Sequence, residues 1–244
     1  LLGEGDRDIG RATLDRKPPC DFEGDLPRLV RRIAVVAGGP ERFGYDASTI
    51  QAIVSKLPIQ GRAMRSGKKS KNLRDAVVAT ICSDPRPLAV IALIDARVEE
   101  VEELREDFRI ICESCRTEAP DVPVALGMAI QEVEIWMLAD EQSRRAAFGD
   151  AIGARDVGKD LESIHDPKSL WNDLAGQAGA REDDVTERHL DHQRRCAWEA
   201  LRLEVVGRRC PRGFQPFTRD VREVVDHALR ASPPKAPRTE PGAG

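Results

Sequence analysis

Apolar residues recur along this chain in two rhythms. Between Asp25 and Ala37 they fall at Leu26, Leu29, Val30, Ile33, Ala34 and Ala37, the three-and-four spacing of a helix with one buried stripe. An acid at its start and Pro27 in its first turn fit a helix N-terminus. Tyr45 to Leu57 and Asn72 to Cys82 predict two more helices. Leu88 to Ile94 differs: it is a continuous apolar run between Pro87 and Asp95, the pattern of a strand buried on both faces. Val98 to Arg116 predicts a charged amphipathic helix, Pro123 to Ile130 a second strand, and Glu134 to Ala139 the start of another helix. Leu1-Leu2 reads as the stub of a further strand running into an acidic turn.

This alternation predicts an α/β domain over residues 1–150, with a mainly parallel sheet flanked by helices. Beyond Asp150 the segments Pro167 to Gln177, Glu187 to Val206 and Phe214 to Ala231 are helical with no strand between them, a C-terminal helical region over 151–231. Residues 232–244 hold four Pro and two Gly in thirteen positions and are expected to be disordered.

Composition narrows the class. The 244 residues are 41% apolar and 33% charged, a globular balance, with 38 basic against 42 acidic side chains. A net charge of -4 argues against a basic coat over the whole surface and leaves room for a local basic patch. No apolar run approaches the length of a membrane span. Leu1-Leu2-Gly3 is followed at once by Glu4, Asp6 and Asp8, so no secretory leader is expected. Six Cys without such a leader read as reduced thiols, and the expected location is the cytoplasm. Cys112 and Cys115, three apart in a helix, read as core residues rather than zinc ligands. Trp136, Trp171 and Trp198 also read as core, and His189 and His192 as a surface pair.

Functional groups of parallel α/β sheets gather beyond the carboxyl ends of the strands. Three segments deliver acids there: Glu4-Gly5-Asp6-Arg7-Asp8, Asp95, and Gln131-Glu132-Val133-Glu134. Carboxylates converging on one edge repel unless a cation neutralises them, and hard oxygen ligands suit Mg²⁺ or Mn²⁺. Between Lys56 and Arg74 lie seven basic residues and no acid, with Lys68, Lys69 and Lys71 in the middle, a stretch suited to phosphate contacts. Gly67-Lys68-Lys69-Ser70 is not a P-loop, because Lys69 stands at the hydroxyl position and Arg62 at the first glycine.

Glu4-Gly5-x-x-Asp8 followed by a strand ending in Asp95 resembles the TOPRIM domain of topoisomerases, bacterial primases and OLD-type nucleases. Gln131-Glu132-Val133-Glu134-Ile135-Trp136-Met137-Leu138-Ala139-Asp140 resembles a block of an uncharacterised TOPRIM-like bacterial family encoded beside ATPases in mobile or phage-defence gene clusters. Ile164-x-x-Pro167-Lys168 and Cys210-Pro211-x-x-Phe214-x-x-Phe217 are similar to later segments of that family. The resemblance implies a TOPRIM-like fold and a Mg²⁺- or Mn²⁺-dependent nuclease of antiviral defence or DNA maintenance, with nucleic acid as substrate and an ATPase protein as partner. Glu4, Asp8, Asp95 and Glu132 would hold the metal, Glu134 would complete or orient the set, and Lys68, Lys69 and Lys71 would hold the nucleic-acid backbone.

The family's Asp-x-Asp reads Asp95-Ala96-Arg97 here, so a cation replaces the second acid. Glu99 or Glu100 would have to substitute, or Glu132 and Glu134 complete the site. If neither happens, the chain is a catalytically silent TOPRIM-like subunit that regulates or senses for an ATPase. Oligomeric state is open, a homo-oligomer included.

Overall fold

The computed structural model describes residues 1–3, 24–38, 48–49, 69–178 and 187–231. Glu4, Asp8, Lys68 and the C-terminal tail lie outside the described residues. Four parallel strands, β1 (Leu2–Gly3), β2 (Ser48–Thr49), β3 (Val90–Ala96) and β4 (Val124–Ile130), form one sheet in the order β2-β1-β3-β4. The helices are α1 (Asp25–Val36), α2 (Lys69–Ile81), α3 (Val101–Glu118), α4 (Glu134–Ala139), α5 (Glu141–Phe148), α6 (Asp150–Gly153), α7 (Pro167–Gln177), α8 (Glu187–Ala200), α9 (Leu203–Arg209) and α10 (Phe214–Ala231). A mixed α/β architecture, mostly helical, is therefore what the apolar rhythms produce. Among the described residues no helix is long and apolar enough to cross a membrane.

The two long strands alternate their side chains between two cores, as the pleat requires. Val90, Ala92, Ile94, Leu126, Met128 and Ile130 pack with α2 and α3 on one face. Ile91, Leu93, Ala125 and Ala129 pack on the other with α1 and the helices that follow β4. Burial on both faces explains why β3 and β4 read as unbroken apolar runs rather than alternating ones. The helices of 151–231 share this second core with α1 and the sheet. All three tryptophans are buried, as their spacing indicated.

Phe217 of α10 lies over Gly127 of β4 so closely that a Cβ there would sit 2.2 Å from the ring. The ring is buried and stacked on Trp136 at 6.0 Å. Gly127→Ala is expected to destabilise by about 1–3 kcal/mol, the cost of overpacking a filled core. Urea unfolding checks this, and an unchanged midpoint would refute the contact.

Three expectations are corrected. The first long strand begins at Val90, not Leu88; Leu88 is 56% exposed, and the first rung is Val90 N–H to the Pro123 carbonyl at 2.9 Å. Asp95 thus lies inside the strand, opposite Ala129, rather than after it. Within the helix expected over Tyr45 to Leu57, Ser48 and Thr49 instead pair with Leu2 and Gly3, and the rest of that segment lies outside the described residues. The single helix expected over Glu187 to Val206 is two, α8 and α9. Arg202 is extended between them (φ -98°, ψ 105°), its amide donating to the Asp140 carboxylate at 2.8 Å.

Candidate functional site at the carboxyl edge of the sheet

From β1 the chain moves outward to β2, then returns to β3 on the opposite side of β1. The winding direction reverses between β1 and β3, and loops diverging at such a point leave a crevice beyond the carboxyl ends. Asp95 stands on β3 next to this edge, Glu132 follows β4 by two residues, and the chain leaves β1 toward the same edge. In β-α-β units the helix runs back against the strands, so the start of α2, with Lys69 and Lys71, lies at that end too.

Gln131 makes the turn out of β4. Its amide gives the last rung, to the Ala96 carbonyl at 2.6 Å, and its φ of +71° is in the left-handed region that non-glycine residues seldom occupy. Glu132 follows, half-buried, with Oε2 accepting the Lys168 N–H at 3.2 Å. Lys168 lies in the first turn of α7, which Asp166 caps by accepting from the Ser169 amide at 2.8 Å. Burial raises the Glu132 carboxyl above its ordinary pKa, and the nearby Glu134 charge raises it further; Lys168 opposes both. A raised pKa means that stability contributed by Glu132 is present at low pH and lost as pH rises through its folded value.

Glu134 meets a different fate. It is 5% exposed, and its Oε1 accepts both terminal nitrogens of Arg194, from Nη1 at 3.2 Å. The same guanidinium reaches Asp25 Oδ2 at 3.4 Å and lies 5.9 Å from the Trp171 ring centroid, while Trp198 Nε1 donates to Asp25 Oδ1 at 2.7 Å. Arg194 therefore clips the start of α1 to the start of α4. Asp95 is half-buried on the face that α1 covers. Arg97 is exposed, and its amide donates to Glu100 Oε2 at 2.9 Å, so Glu100 is engaged in capping a turn. Among the described residues no group of three or more His, Cys, Asp or Glu side chains is arranged to hold a metal ion. Asp95 and Glu132 supply hard oxygen atoms at this edge, and Glu134 is already held by a guanidinium.

Segments far apart in sequence converge here. Pro167-Lys168 meets Glu132, and Phe214 and Phe217 flank Trp136 at 5.0 and 6.0 Å. The turn before Phe214 is tied down by buried Glu162, which accepts from the Gly213 amide at 2.9 Å. Arg194, Asp25 and Asp140 carry the framework of this end, whereas the sequence pattern marks Asp25 only as the acid at a helix start and does not mark the ion pairs of Arg194 and Asp140. One signal was present: Arg194 stands four residues from both Leu190 and Trp198, on the apolar stripe of α8 rather than its charged side.

The fold and the edge define a parallel α/β protein with Asp95 in β3 and Glu132 after β4, at the carboxyl ends of neighbouring strands. Compared with protein-family models, curated proteins and solved structures, the chain matches none.

Proposed function

We propose that this edge is the centre of a Mg²⁺- or Mn²⁺-dependent nuclease with a TOPRIM-like fold, acting in antiviral defence or DNA maintenance. The observation that carries the reading is Glu132: a half-buried carboxylate beside a second acid, its ionised form disfavoured in the fold. Glu132 and Asp95, with Glu4 and Asp8 from the segment after β1, hold the cation; Glu134 and Arg194 fix where Glu132's loop leaves β4. A divalent ion held by these carboxylates would supply a water of lowered pKa and positive charge beside the leaving oxygen. Lys71, with Lys68 and Lys69, holds the phosphate backbone by charge, which makes binding weaken as salt rises.

The test is cleavage of supercoiled plasmid and labelled single strands with Mn²⁺, comparing wild type, Glu132→Gln and Glu4→Ala. Cleavage is expected to fall roughly 100-fold in each variant. Mn²⁺ is expected to raise the wild-type melting temperature and leave that of Glu132→Gln unchanged. Metal-free Glu132→Gln is expected to melt slightly above wild type, because it removes a disfavoured charge.

A second reading draws on Arg194 holding Glu134 and on Arg97 standing where an acid belongs: a silent subunit that docks on an ATPase and regulates it. No cleavage and no metal-dependent melting shift in wild type would select it.

A further inference from the structure

Four of the described residues hold the backbone in the left-handed region. Three are glycines, Gly38, Gly149 and Gly158, at φ of +81°, +84° and +86°, each with open space where a Cβ would stand. Those positions need glycine for its backbone and not for room. The fourth is Gln131, at +71°. A long side chain is disfavoured there, and glutamine lacks the short polar group with which asparagine or aspartate eases the conformation. The turn alone would be better served by a fourth glycine.

Gln131 sits between the two described acids of the edge. Its amide donates to the carbonyl of Ala96, the neighbour of Asp95, and Glu132 follows it in the chain. That rung on one side and the Lys168 amide held by Glu132 on the other fix the residue in its strained form. Gln131 is half-buried, and among the described residues its carboxamide has no hydrogen-bond partner. Strain kept beside a candidate site, under a polar side chain left free, is accounted for by a ligand of that side chain. A carboxamide is neutral and its nitrogen carries two donors. A guanidinium here would take a carboxylate away from the cation, as Arg194 takes Glu134; a carboxamide donates to an anionic oxygen without that competition.

We propose that Gln131 is a substrate-binding residue of this edge, its carboxamide N–H donating to a non-bridging phosphate oxygen of the nucleic-acid strand. The inference rests on the reading of the edge as a nuclease centre.

The experiment compares the full chain with Gln131→Met, which keeps the size and loses the donors, and Gln131→Gly, which also relieves the backbone. Steady-state cleavage of a labelled oligonucleotide with Mn²⁺ is read beside melting with and without the metal. Both variants are expected to raise KM about tenfold, the loss of one hydrogen bond to a charged group, with kcat within about twofold of wild type. Without metal, Gln131→Gly is expected to melt about 2 °C higher and Gln131→Met at the wild-type temperature. The Mn²⁺-dependent shift is expected to survive in both. An unchanged KM in a wild type that cleaves would overturn this assignment and leave the nuclease reading standing. A lower melting temperature in Gln131→Gly would assign the side chain to packing, and a lost Mn²⁺ shift in Gln131→Met would assign it to the metal; either overturns the proposal. A wild type that neither cleaves nor responds to Mn²⁺ overturns the nuclease reading and this inference with it.

Discussion

Arg194→Ala is expected to cost about 3–5 kcal/mol, the penalty of stranding buried charge. The guanidinium side chain is 10% exposed, and the carboxylates it serves, Glu134 and Asp25, are 7% and 4% exposed. Truncation leaves two acids facing one another with Trp198 as the donor to one of them. An exposed pair is worth at most about 1 kcal/mol, so the measured loss distinguishes a core clip from a surface contact. For a chain of this size, such a loss lowers the melting temperature by roughly 10 °C. Arg194→Lys keeps the charge but cannot serve both acids with a planar fork, and should fall between wild type and Arg194→Ala. Adding Glu134→Gln to Arg194→Ala should restore part of the loss, since one stranded charge is then neutral; the double-mutant cycle reads the coupling directly. A loss below 1 kcal/mol for Arg194→Ala would sink the assignment.

The consequence of the clip lies at the sheet edge. Asp25 opens α1, and Glu134 stands two residues after Glu132. Arg194 thus ties the start of α1 to the turn that carries Glu132, and loosening it is expected to disturb that turn.

Which parts could be read from the residues follows from how local their causes are. β3, β4, α1, α3 and α10 carry their own signal, because each buries a stripe or a run that the local pattern spells out. β2 carries none: two residues, Ser48 and Thr49, are held by pairing with β1 and not by their own apolar pattern. The break between α8 and α9 is invisible locally, since helical spacing continues across it and the cause is Asp140, 62 positions upstream. At the edge, Glu132 follows the apolar run of β4, whereas Asp95 lies within β3 rather than after it. That Glu134 faces Arg194, 60 residues away, was not legible, because an ion pair between helices leaves no spacing rule in either.

Asp140 gives the second large effect. It is fully buried, accepts the Gln142 amide at 3.1 Å as the N-cap of α5, and accepts both the amide and the guanidinium of Arg202. One carboxylate therefore ends α4, starts α5 and sets the break between α8 and α9. Burial works to raise its pKa, but the hydrogen bonds from the Arg202 side chain, the Arg202 amide and the Gln142 amide outweigh it and hold the carboxyl below the ordinary aspartate range. Asp140→Ala is expected to cost about 2–4 kcal/mol, combining a lost cap with a buried amide left without an acceptor. A depressed pKa contributes stability that is present above the unfolded value and lost as pH falls through the folded one. The gap between wild type and Asp140→Ala should hold its full size from neutral pH down to about pH 5 and narrow below the ordinary aspartate pKa of about 3.9. Urea unfolding of both chains at pH 7, 5 and 3 measures it. A gap that stays constant down to pH 3 would mean that packing, not the charge on Asp140, holds these four helix ends together.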